Sequence, residues 1–394
     1  MKTNDLLTQF LRAATAFLAV IVMFLFNTPQ VQAREYGDYN EPSQDELMEE
    51  QAKASSADDL IYSLPDETRE ILSQLGISSS DTDGISSLTF SQITQKLLDI
   101  AAGSSKNPIK ASAAVMAILI ITAMIGGMKT DSFSRPMNTV ISLVSTLCLC
   151  TALITPIAGC IGKCSLIVES SAKFMLAYVP VMVTVMISSG QAMSAASYKI
   201  LMMSAGETVY QVSANILVPF MNIFTGISVV SAISSRLNLS SVSDLIYKAV
   251  KWILGFTMSI FTALLTLQGI IATAGDTAGT KAVKLAINSF VPLVGGALSD
   301  AYQTVYSCMK LLKSGIGVFA IIAVAFTFVP IIIDCVLWLA SVNICAAVSD
   351  VFDMKVQSGL LRSCGKVMNV MLAIILSCVV VFIISTAIIL MLSK

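Results

Sequence analysis

Three carboxylates stand in or beside apolar runs of this chain: Glu207, Asp300 and Asp334. A carboxylate at membrane depth costs several kcal/mol, so it faces a cavity or a partner. Asp334 is the sharpest case, four residues after Pro330 within "FVPIIIDCVLWLA". Two chemistries fit it. It could pass a proton or an ion along a path through the helices, or it could sit in an ion pair or at a helix end near the head groups. The second is the plainer reading, because one acid makes no relay. The chain has no histidine to extend one. That absence also removes the commonest general base, the usual zinc ligand and every Ser-His or Cys-His nucleophile. Cys160 and Cys164 in "GCIGKC" could form a disulfide on an outer loop, but the spacing is unspecific and unpaired thiols are favoured. No Walker loop, Gly-rich phosphate cradle or protease constellation is present. The expectation is therefore a non-enzyme with no cofactor, no metal and no nucleic-acid partner.

The elements that must hold these residues are membrane helices. The 394 residues are 55% hydrophobic and only 12% charged, about half the charge a soluble domain carries. Strong spans are expected at 111–128, 136–159, 252–273 and 367–392. The regions 174–235 and 285–349 are equally apolar but interrupted by Pro, Gly and single charges. They align at an offset of 111 residues, pairing Lys199 with Lys310 and Pro219 with Pro330. This predicts an internal parallel repeat of Pro- and Gly-broken elements, as in many transport folds. The fold class is thus all-α, a polytopic helical membrane protein of seven to ten passes over residues 111–394. Elements at roughly 174–190, 200–217, 220–235, 285–300, 315–332 and 334–349 put eleven Lys and Arg in cytoplasmic loops, among them Lys199, Lys310 and Lys313. Five lysines, Lys163 included, fall outside. That bias satisfies the positive-inside rule. Gly126-Gly127, Gly159 with Gly162, and Gly295-Gly296 predict close helix contacts or self-association.

The N-terminus reads as a secretory signal. Lys2 and Arg12 precede the apolar run 13–26, and Val31 and Ala33 stand at −3 and −1, so cleavage is expected after Ala33. An uncleaved first helix is the alternative, and either way the next segment begins outside the cytoplasm. Residues 34–110 then hold 15 acidic against 6 basic residues. "SLPDETREILSQLGI" and "TFSQITQKLLDIAAG" carry start signals and one-sided apolar spacing for two short amphipathic helices. These lie against the membrane or a partner, or belong to a solvated linker.

The segment "FVPLVGGALSDAYQTVYSCMKLLKSGIG" (290–317), above all P-x-x-G-G-x-L-S-D-A from Pro292 to Ala301, resembles the stage III sporulation protein AE family of endospore-forming Firmicutes. The overall layout agrees over nearly the whole chain. The resemblance implies a multi-pass platform in the mother-cell membrane. Its partners would be the other stage III sporulation proteins AA to AH, an ATPase-like cytoplasmic member among them, and a forespore membrane protein met across the intermembrane space. It supplies no catalytic motif. Pro292, Gly295, Gly296 and Asp300, with Pro330, Asp334 and Glu207, remain candidates for structural or path-lining roles. A stand-alone secondary transporter using those acids is the alternative, and an intramembrane enzyme lacks the residue pair it would need.

Overall fold

Pro65, with φ −54°, opens a short helix whose first turn carries Asp66 and Glu67. Both acids oppose the positive end of the helix dipole. This is α1, Asp66–Gln74, and Gly76 ends it at φ +68°, where a residue with a Cβ is strained. A 3₁₀ helix, Ala57–Ser63, precedes it. Arg69 joins the two, donating from Nε to the Ile61 carbonyl and from Nη2 to the carbonyls of Tyr62 and Leu64. Leu60, Leu64, Leu72 and Ile77 are buried. The computed structural model describes residues 52–77, 95–96, 99–100, 102–103, 106–127, 135–212, 215, 218–233, 244–257, 259–261, 263–264 and 295–391. Ala33, Pro292 and most of the second amphipathic segment lie outside them.

The rest of the described chain is helical: α2 (Lys106–Gly127), α3 (Arg135–Ser188), α4 (Ala192–Val212), α5 (Val218–Ile233), α6 (Gly295–Val351) and α7 (Lys355–Met391). Residues 244–257 are helical as well. Among the described residues four helices are long and apolar enough to cross a membrane, over Pro108–Ile125, Val140–Ser188, Met309–Val351 and Lys355–Ala387. Long-range contacts set their directions. Lys163 meets Asp334 and Gln191 meets Lys313, so α3 and α6 run antiparallel. Gln357 donates to the Ser142 carbonyl and Phe174 packs on Phe382, so α3 and α7 run parallel. The tight turn at 352–354 folds α7 back along α6, with Asp353 at φ +52°. Arg362 closes that hairpin on Asp350, whose other oxygen takes the Ser358 hydroxyl.

Several expected breaks are absent. The outer loop expected around "GCIGKC" is a continuous part of α3, and Lys163 lies within that helix. Pro156 and Pro180 sit inside α3, and Pro330 sits inside α6. A proline costs a helix interior about 3 kcal/mol. Here the cost is spread over helices of 54 and 57 residues, whose buried stripes reward continuity. Leu153, Ile157, Cys160, Cys164 and Val168 form such a stripe at helical spacing. The turn expected around Lys310 and Lys313 is also missing, since α6 runs through both. Lys199 lies in α4 rather than a loop, because the chain turns only at Ser189–Gln191. The two proposed copies therefore differ in their divisions. Residues 174–233 are shared among α3, α4 and α5, whereas 295–351 are one helix.

The glycines expected at close contacts are not all used so. A Cβ added at Gly159 or Gly162 would meet nothing within 4 Å. One added at Gly317 would lie 2.7 Å from Leu390 Cδ2, so the close approach of α6 to α7 falls there instead.

Candidate functional site

The acid singled out from sequence and the thiols singled out from sequence meet in one seam. Asp334 and Cys335 on α6 face Cys160, Lys163 and Cys164 on α3. Lys163 Nζ stands 3.4 Å from Asp334 Oδ2. The Asp334 side chain is 11% exposed and that of Lys163 is 62% exposed. The carboxylate is thus held inside the bundle, while the lysine reaches it from the bundle surface. The 3.9 Å between the sulfurs of Cys164 and Cys335 is nearly twice a disulfide bond, so these are adjacent free thiols. Cys160 is buried beside them. Among the described residues no three His, Cys, Asp or Glu side chains group to hold a metal. The arrangement neutralises a buried carboxylate and pins α3 to α6.

Other candidates are placed elsewhere. Glu207 is exposed on α4, where it accepts from Gln211 Nε2 at 2.8 Å, apart from the seam. Pro330 is half-buried one turn before Asp334. Gly295, Gly296 and Asp300 lie in the first turns of α6, and the Asp300 side chain is outside the described residues.

Two contacts escape sequence reasoning. Lys313, 1% exposed, donates to Gln191 Oε1 at 2.6 Å where the chain turns from α3 into α4. In sequence this lysine resembles any cation at the end of a span. The other contact joins α1 to α6: the hydroxyls of Thr68 and Thr327 lie 3.1 Å apart, both buried. Thr327 donates its proton to the Ala323 carbonyl, so Thr68 is the donor between them. The buried face of α1 was legible from its apolar spacing, but its docking site was not.

A family model described as Stage III sporulation protein AE matches residues 77–393. The chain is also 23% identical over 154 residues to the stage III sporulation protein AE of Bacillus subtilis (strain 168). That alignment covers 39% of this chain and 39% of the relative's length. No solved structure matches it.

Proposed function

This chain belongs to the stage III sporulation protein AE family, and from that premise we propose that it is a non-enzymatic integral membrane component of a sporulation-specific transenvelope complex. In this reading it sits in the mother-cell membrane facing the engulfed forespore, with its acidic segment outside the cytoplasm. It works beside the other stage III sporulation proteins, including an ATPase-like member, and reaches a forespore membrane partner through the complex. The observation that carries the proposal is the use made of Asp334. Its charge is matched by Lys163 across two of the longest helices, which suits a platform better than a carrier that must load and release an ion at that carboxylate.

Helix length supports a part that extends beyond the bilayer. The apolar stretch of α6 has 43 residues, about 65 Å at 1.5 Å per residue, against about 30 Å of hydrocarbon. Near the middle of that stretch Thr327 receives α1, whose outward face carries the exposed acids Glu67 and Glu70. Charged side chains of this kind are not seated in lipid, so head groups or water reach the bundle at that level.

The test is affinity capture of a tagged chain from sporulating cells at the stage when the complex forms. Recovery with other stage III sporulation proteins is expected, and recovery of the chain alone would sink the proposal. The ion pair gives a second check. Lys163→Ala should cost about 1–2 kcal/mol of stability, less than the roughly 3–5 kcal/mol for breaking a fully buried pair, because the Lys163 side chain stands largely on the bundle surface. Adding Asp334→Ala should cost less than the sum of the two single changes. Asp334→Asn should leave assembly intact with little loss of sporulation. Abolished solute flux in that variant, with normal membrane level and assembly, would favour the secondary-transporter alternative.

A further inference from the structure

The acidic segment is built to bridge two helices. Its 3₁₀ helix packs on α3 and its α1 packs on α6, while Arg69 holds the two pieces in one shape through three carbonyls. Leu60 at 1% and Leu72 at 0% exposure are its large buried anchors. At the α6 end the Thr68 hydroxyl bonds to that of Thr327 in a buried setting. Thr327 and Asp334 are seven residues apart on α6, two helical turns along the same face and about 10 Å in rise. The segment therefore crosses the same pair of helices whose facing side chains are Lys163, Asp334, Cys164 and Cys335.

We infer that residues 57–74 are a clasp that holds the α3–α6 seam shut, and that the buried Asp334 carboxylate and the buried thiols of that seam become reachable from water only when the clasp lifts. A strip that touched one helix alone could not do this. This one touches both: the 3₁₀ helix packs on α3 and α1 packs on α6. Its outward face is polar, with Asp66 and Glu67 exposed, so once lifted it has a favourable place in water. The inference holds whether the chain works in a complex or alone, because it concerns one seam within one chain.

The native cysteines report on it directly. The full-length protein in lipid nanodiscs would be treated with a maleimide, and each labelled cysteine would be identified by peptide mass spectrometry. In the unaltered chain Cys160, Cys164 and Cys335 should label slowly. Leu72→Asp, which puts a charge at a fully buried anchor, should speed labelling of Cys164 and Cys335 by about tenfold or more. Cys364, which is buried on α7 rather than in the seam, should remain slow. Release is verified separately with Thr68→Cys and Thr327→Cys, introduced together. Oxidation should link them in the otherwise unaltered chain, keep the seam thiols protected, and fail to link them when Leu72→Asp is added. The inference is overturned by any of three results. These are no linking of the pair at all; loss of linking in Leu72→Asp without exposure of the seam thiols; and labelling that spreads to Cys364, so that the seam opens only with the whole bundle.

Discussion

Phe382→Ala should lower the stability of the purified protein by about 3 kcal/mol or more, roughly a hundredfold in the folding equilibrium. Phe382 is 5% exposed on α7, and its ring lies 5.8 Å from Phe174 and 5.6 Å from Tyr178, both on α3. Phe174 and Tyr178 are themselves stacked at 5.9 Å. The three rings are the aromatic joint between two parallel helices more than thirty residues long. In lipid, removal of apolar surface from water contributes little, so close packing supplies more of the association energy. A cavity at this joint is therefore expensive, and each lost ring contact adds about 0.5–1.5 kcal/mol. Leu176→Ala on the same stretch of α3 is the control, because Leu176 is 40% exposed and should be nearly neutral. Denaturant titration in detergent, followed by fluorescence or helicity, reads both. A loss in Phe382→Ala no larger than in Leu176→Ala would contradict the packing.

Gln191→Leu should cost about 1.5–3 kcal/mol, the range for losing a hydrogen bond to a charged group. The Lys313 ammonium is almost wholly buried, and Gln191 Oε1 is 2.6 Å from it. Leucine keeps most of the volume but offers no oxygen, so the variant isolates the polar contribution. Gln191→Glu keeps an acceptor at the same reach and adds the opposite charge, so it should match the unaltered chain or exceed it. The pattern of loss with Leu and recovery with Glu is the measurement, read by thermal unfolding in detergent and by membrane level. Equal loss in both variants would mean that the side chain's shape, rather than its oxygen, matters at this turn.

The sequence by itself determined the class of object and some of its local detail. Apolar content and long runs without paired charges require helices, since a backbone in lipid must satisfy its own hydrogen bonds. Pro65, Asp66, Glu67 and Gly76 marked both ends of α1 through φ restriction, dipole and left-handed backbone, all of which act within a few residues. The segment from Pro292 to Ala301 carried the family, although Pro292 lies outside the described residues. What the sequence misjudged was punctuation. Pro180, Pro330, the glycines of "GCIGKC" and single lysines such as Lys310 resemble breaks when each is weighed locally. A break was avoided wherever a long buried stripe on both sides outweighed one missing hydrogen bond.

Only the tertiary structure decided which faces meet. Lys163 and Asp334 are 171 residues apart, Gln191 and Lys313 are 122 apart, and Thr68 and Thr327 are 259 apart. Periodicity says that a residue lies on a buried face, but not which helix covers that face. A lysine in an apolar run has the same neighbours in sequence whether it snorkels to the surface, as Lys163 does, or is enclosed, as Lys313 is. The difference lies in desolvation and in an oxygen supplied from a turn distant in sequence, and both arise only once the helices have packed.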